Sequence, residues 1–153
     1  MDSSASPLDR ILAVGRVVTE GRQAPEAIAA RLGTISAIAG GTIYVNSSDP
    51  LYVVINVFFD EASRRVHTVS FRGAPGAPMP ALAELKARLG DYVIGARTHF
   101  QAPLPLSFHV DFDASLDRTC TVYAAVSNGE QPVTDWVTGE LSVIAETRLR
   151  RWT

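Results

Sequence analysis

The chain has 153 residues and a mass of 16.5 kDa, the usual size of one domain with its own hydrophobic core. Hydrophobic residues make up 46% and charged residues 20%, so the composition excludes a disordered chain. The 14 basic and 16 acidic residues give a net charge of −2, which leaves no excess of positive charge for a dedicated nucleic-acid binder.

The N-terminal half predicts two helices and then a meander of strands. Ser6-Pro7 precedes apolar residues spaced three or four apart, which predicts a helix ending near Gly21. Pro25 opens a second helix that ends at Gly33. Residues 34–41 show little pattern. A period of two then predicts strands over 42–46, 51–59 and 65–72, separated by polar turn clusters.

The C-terminal half begins with a linker over residues 73–80, which is too rich in proline and glycine for a sheet interior. A helix follows from Pro80 to Gly90, and the next strand candidates are 92–100, 104–112 and 118–126. Apolar residues at helical spacing predict a closing helix within 133–152, with a strand as the alternative.

Together these elements predict a single α+β domain over residues 1–153, with residues 1–6 flexible. An antiparallel sheet of about five to six strands would be packed by N-terminal, central and C-terminal helices.

A weak internal repeat also appears in the sequence. The segment 30–33 recurs as 87–90, and Phe-Asp and Thr-Val pairs recur in two hairpins, which predicts two helix-then-hairpin units or a chance match.

The compartment follows from what the sequence lacks. Residues 1–7 contain no basic and apolar leader, and no apolar stretch approaches the length of a membrane span, so we expect a cytoplasmic protein without membrane contact. Cys120 is the only cysteine, which rules out an internal disulfide and a cysteine-rich zinc site. Cys120 reads as a small core residue, and no cofactor or metal is expected.

One strand carries the strongest candidate for chemistry. Alternation along 107–113 would place His109, Asp111 and Asp113 on the same side, as metal ligands or a carboxylate-oriented base, with His67 or His99 completing a metal site. The alternative is the solvated face of an ordinary strand, and we favour it because period-two polarity is how antiparallel sheets are built. In this interpretation the Asp113 side chain caps a turn by accepting a backbone hydrogen bond.

The sequence also carries more apolar residues than one small core is expected to hold. The excess lies in 51–59, in 137–144 and at the C-terminus, and leftover apolar surface usually marks a partner site. The candidates for partner contact are Val53, Ile55, Val57, Trp136 and Trp152.

The order of elements over residues 7–152 resembles class I chaperones of type III secretion and the related YbjN-like proteins. This resemblance implies a homodimer without enzymatic activity that holds an extended segment of a client protein. The repeat instead resembles the tandem helix-then-sheet module of beta-lactamase-inhibitor-like proteins, or a small immunity protein that blocks a toxin. A non-enzymatic protein-binding domain is therefore the leading expectation, and a small enzyme using His109, Asp111 and Asp113 is the competing one.

Overall fold

A computed structural model describes residues 5–96, 103–127 and 138–148. In this part of the chain three helices accompany one antiparallel sheet of eight strands. The helices are α1 (Pro7–Glu20), α2 (Pro25–Leu32) and α3 (Leu82–Leu89). The strands are β1 (Gly33–Ala39), β2 (Thr42–Ser47), β3 (Tyr52–Phe59), β4 (Val66–Gly73), β5 (Tyr92–Ile94), β6 (Leu104–Val110), β7 (Arg118–Val126) and β8 (Thr138–Thr147).

The sheet consists of two four-stranded meanders joined at the centre. Its order is β1-β2-β3-β4-β8-β7-β6-β5, so each meander begins at an outer edge and its last strand lies in the middle. The pairing of β4 with β8 is antiparallel, with Val69 opposite Val143 and Phe71 opposite Leu141. Helices α1 and α2 precede the first meander and α3 precedes the second.

The helices cover one face of the sheet. Helix α1 contacts β8, β4 and β7, α2 contacts β1, β2 and β3, and α3 contacts β6. Alternate strand residues point to these helices and form the core, because successive side chains of a strand point to opposite faces. The core rows include Val45–Ile55–Phe71–Leu141–Ala124–Leu106 and Ile43–Val57–Val69–Val143–Val122–Phe108.

Both ends of α1 are fixed by side chains as well as by packing. Ser6 Oγ accepts a hydrogen bond from the Asp9 amide, and Asp9 Oδ2 accepts one from the Ser6 amide, which completes a capping box. At the C-terminus, Gly21 adopts a left-handed conformation with φ of 69°. The guanidinium of Arg118 on β7 donates to the last carbonyls of the helix and to Val66.

The predictions of five to six strands and of a C-terminal helix are both wrong. Leu141, Val143 and Ala145 lie two residues apart, and pairing with β4 and β7 on both sides makes 138–147 a central strand. Leu141, Ile144 and Ala145 also fit a helical spacing, so periodicity alone could not decide. The unpatterned segment after α2 is edge strand β1, which has only one neighbour to impose alternation.

The predicted repeat corresponds only partly to the two meanders. The recurring Ala-Arg-Leu-Gly segments mark equivalent places, since Gly33 follows α2 and Gly90 follows α3. The Phe-Asp matches do not mark equivalent places in the two meanders. Phe59 ends β3, the third strand of its meander, whereas Phe112 follows β6, the second strand of the other.

The segment 73–80 connects the two meanders across the edge of the core. Its Ala74 amide donates to the Leu51 carbonyl, and Met79 and Pro80 are buried. Within the described ranges, no helix is both long and apolar enough to cross a membrane.

Candidate functional site

The structure separates the three polar residues that the sequence grouped on one strand. Strand β6 ends at Val110, so only His109 lies on it, exposed to solvent. Asp111 and Asp113 belong to the turn that leads into β7. Asp113 Oδ1 accepts from the amide of Ser115 at 2.9 Å and from its hydroxyl at 2.8 Å, which is the turn-capping role expected of an Asp at this place.

Asp111 is held by an arginine from β8's C-terminal end. Arg148 donates to both carboxylate oxygens, at 2.6 and 2.8 Å, and also to the carbonyls of Leu116 and Asp113. These hydrogen bonds with Arg148 lower the pKa of the Asp111 carboxyl and raise that of the arginine. The arrangement joins the β6–β7 turn to the end of β8, and an ionised carboxylate held this way is poorly placed to accept a substrate proton.

The other candidates for chemistry do not join His109. His67 on β4 is exposed, and its Nδ1 lies 2.8 Å from the Thr68 hydroxyl. His99 lies outside the described residues. Among those that are described, no three His, Cys, Asp or Glu side chains are grouped closely enough to hold a metal ion.

Cys120 is a core residue, as the sequence predicted. Its side chain is buried against α1, and burial raises the pKa of the thiol to about 11. A thiol with so high a pKa is protonated near neutrality and is a poor nucleophile.

The strand residues predicted to contact a partner lie mostly in the core. Ile55 and Val57 point to the helices and are 1% and 0% exposed, so they are not available to a partner in this fold. Val53, at a bulge of β3, is 54% exposed. Trp136 and Trp152 lie outside the described residues.

The face of the sheet opposite the helices is here called the open face, because the three helices of the described residues pack on the other face. A continuous row of cross-strand neighbours crosses seven strands at its centre. This row, the Tyr44–Val93 row, consists of Tyr44, Asn56, Ser70, Ser142, Tyr123, Ser107 and Val93.

A second row runs parallel to it. This Thr42–His109 row consists of Thr42, Phe58, Thr68, Ile144, Thr121 and His109. Neither row contains an Asp, Glu, Lys or Arg. Charge enters in the rows on either side of them: Arg72 of β4 lies opposite Glu140 of β8 in a third row, and Glu146 of β8 lies opposite Thr119 of β7 beyond the Thr42–His109 row.

The centre of the open face is closely packed despite its polarity. The hydroxyls of Ser70 and Ser142 lie 2.8 Å apart across the β4–β8 pair, and Ser142 is only 4% exposed. Next to them, Asn56 Oδ1 is buried without a hydrogen-bond partner among the described residues. Asn56 interrupts the apolar run of β3, and its side chain thus places an unsatisfied acceptor in the middle of the open face.

A shallow depression of about 310 Å³ lies where the open face meets the start of β8. It is lined by Arg72, Pro103, Ala125, Ser127, Thr138, Gly139 and Glu140. The face therefore offers a neutral centre with aromatic and hydroxyl groups, and a charged pair beside a concave end.

Sequence reasoning missed this face, although a signal was present. Many polar positions of the predicted strands are Ser, Thr, Tyr or Asn, as in Thr119, Thr121 and Tyr123 of β7, whereas an ordinary solvated strand face carries more charged residues. Comparisons of the chain with protein-family models, with curated proteins and with solved structures each found no match.

Proposed function

We propose that this protein is a non-enzymatic binding domain that docks one folded protein partner on its open face. The observation that carries the proposal is the Tyr44–Val93 row, which crosses seven strands without an ionic side chain. The centres of protein interfaces are depleted of charge and enriched in aromatic residues, in contrast to solvated surfaces. A folded partner is what an inhibitor or an immunity protein binds, whereas a chaperone holds an unfolded segment.

The size of the face supports a folded partner. Six gaps of ~4.8 Å between the seven strands make the row about 29 Å wide, and three rows about 7 Å apart span roughly 14 Å along the strands. The resulting projected area of roughly 400 Å² is about half of the ~800 Å² that each partner contributes to a standard interface. A single extended segment would occupy only a fraction of that area.

The chemistry of the face supports the same conclusion. Tyr44 and Tyr123 offer rigid, amphipathic contact surface that loses little conformational entropy on binding, and the serines and threonines offer adaptable hydrogen bonds. The antigen-binding loops of antibodies have a similar composition. The succession of a helix and a meander, twice in the chain, is also the arrangement implied by the resemblance to beta-lactamase-inhibitor-like proteins.

The test uses a photoreactive phenylalanine analogue placed at Tyr44 or at Tyr123, with the same analogue at exposed Glu84 of α3 as the control. In extracts of the source cells we expect one adduct of defined mass from both sheet positions and none from position 84. The captured protein is then purified, and its affinity is measured for Ser107→Arg and for the matched charge variant Glu84→Arg. We expect at least a tenfold weakening for the first and no change for the second.

Four results would overturn this proposal. Equal labelling at all three positions would show that the contacts are non-specific. An adduct of exactly twice the chain's mass would make the open face a contact between copies of this chain, and an affinity unchanged in Ser107→Arg would place the partner elsewhere. Labelling at neither tyrosine would also count against a docking role for this face.

The structure offers one observation in favour of a chaperone-like function, in which the chain holds an extended client segment. Strand β1 is an outer edge, and its Ile38 is 53% exposed. Edge strands accept an added strand through their free backbone groups. If this is the function, the photoreactive residue at position 38 yields the adduct, and positions 44 and 123 do not.

A further inference from the structure

A cleft opens on the helix side of the molecule, away from the open face. It has a volume of about 580 Å³ and lies between α1, the end of α2 and the β2–β3 loop. Its lining is mainly apolar: the half-buried Val14 and Leu32 offer surface to a ligand, and the almost fully buried Ile11, Ile55 and Phe71 lie behind that surface. A smaller hollow of about 120 Å³ between the two helices shares Val14 and Leu32 with it. The cleft has the size and the apolar lining of a small-molecule site.

One wall of the cleft contains a polar group without a partner. Tyr52 is 8% exposed, its ring packs on Phe71 with centroids 5.1 Å apart, and its hydroxyl is buried with no hydrogen-bond partner among the described residues. Burial, with the nearby Asp49 carboxylate, raises the pKa of Tyr52 to about 12. The hydroxyl therefore keeps its proton and is a donor awaiting an acceptor.

The rim of the cleft carries two arginines and one aspartate, a net charge of +1. Arg10 donates to the Ala5 carbonyl at 2.9 Å and to Asp49 at 3.4 Å. Asp49 also accepts from the Leu51 amide at 2.9 Å, so its charge is partly engaged by the loop. Arg31, in the last turn of α2, is exposed beside the opening.

We infer that this cleft binds an amphipathic monocarboxylate, with its apolar chain between α1 and the sheet and its carboxylate at the Arg10–Tyr52 end. The apolar walls match the chain, the +1 rim matches a single negative charge, and the Tyr52 hydroxyl gains the acceptor it lacks. This site is independent of the open face, so neither proposal depends on the other.

The test is titration calorimetry of the whole chain with decanoate, with decyltrimethylammonium as a ligand of similar chain and opposite charge. We expect saturable one-to-one binding of decanoate and none of the cation. Tyr52→Phe should weaken decanoate binding about tenfold through loss of a hydrogen bond to a charged group. Arg31→Gln should weaken it about fivefold, as for a solvent-exposed ion pair.

Two further variants locate the site. Val14→Trp fills the cleft and should abolish binding, and its folding is checked by circular dichroism and by its urea midpoint. Arg22→Gln, at an exposed arginine between α1 and α2 outside the cleft, should bind as the wild type does. The inference is overturned if decanoate gives no saturable binding, if the cation binds equally well, or if a folded Val14→Trp still binds decanoate.

Discussion

Arg118 is the side chain whose replacement tests the packing of α1 on the sheet most directly. It lies at the start of β7 and is only 7% exposed. Its guanidinium donates to the carbonyls of Val18 and Thr19, in the last turn of α1, and to that of Val66 at the start of β4. Burial lowers its pKa, but the pKa of a guanidinium starts so high that the group stays charged.

The expected cost of Arg118→Met follows from these three acceptors. The last carbonyls of a helix have no partner within it, and all three residues are themselves buried. A buried acceptor left without a donor costs ~1–3 kcal/mol, so three of them at the lower end of that range give about 3 kcal/mol. Methionine retains most of the apolar contact of the arginine stem, so the loss reports mainly on the hydrogen bonds.

The assay is urea unfolding followed by circular dichroism. With a slope of ~2 kcal/mol per molar urea, a loss of 3 kcal/mol lowers the midpoint by about 1.5 M. The urea midpoint of Arg118→Lys should lie between those of the wild type and Arg118→Met, because an ammonium group lacks the planar guanidinium geometry that reaches three carbonyls at once. Arg22→Met, the same change at an exposed position, is the control. A midpoint for Arg118→Met within about 0.3 M of the wild type would refute the reasoning.

Three further predictions are checked by the same unfolding assay or by labelling with a thiol reagent. Tyr52→Phe should stabilise the ligand-free protein by about 1 kcal/mol, because it removes a buried hydroxyl without a partner; a lower urea midpoint would contradict this. Cys120 should resist a thiol reagent at pH 8 until urea unfolds the chain, because its thiol is buried with a pKa of about 11; rapid labelling of the native protein would contradict it. Asp111→Asn should lose less of its free energy of unfolding than the wild type does when the pH is lowered from 7 to 3. The folded-state pKa of Asp111 is lowered, so its contribution is present above the unfolded-state pKa and disappears as the pH falls through the folded one. Equal losses in variant and wild type would show that Arg148 contributes nothing through this pair.

The local elements that sequence predicted correctly are those with their own start and stop signals. Ser6 and Pro7 begin α1 and Gly21 ends it, and the polar turns around 47–50 and 60–64 delimit β3 on both sides. These signals act through neighbouring backbone groups, so they need no tertiary context. Strand β8 lacks such signals, and its apolar spacing fits either period, so its two neighbours decided its conformation.

The candidate sites show the same limit. The sequence grouped His109 with Asp111 and Asp113 because they are close along the chain, but the strand ends between them and Arg148 engages one of the two carboxylates. The cleft at Tyr52 combines residues of two helices, a loop and three strands. No spacing rule joins them, because their proximity results from how α1 and α2 pack on the sheet.

Composition and local patterning by themselves determined that α1 and α2 precede a meander of strands and that Cys120 is a core residue. Only the tertiary structure decided that eight strands in the described part of the chain form one sheet and which face the helices cover. The physical reason is register. Asn56, Ser70, Ser142 and Tyr123 lie on four different strands, and the pairing of β4 with β8 brings them into one row. A shift of that pairing by one residue would turn one meander's core side chains outward, so burial of the apolar rows fixes the row of hydroxyls on the other face.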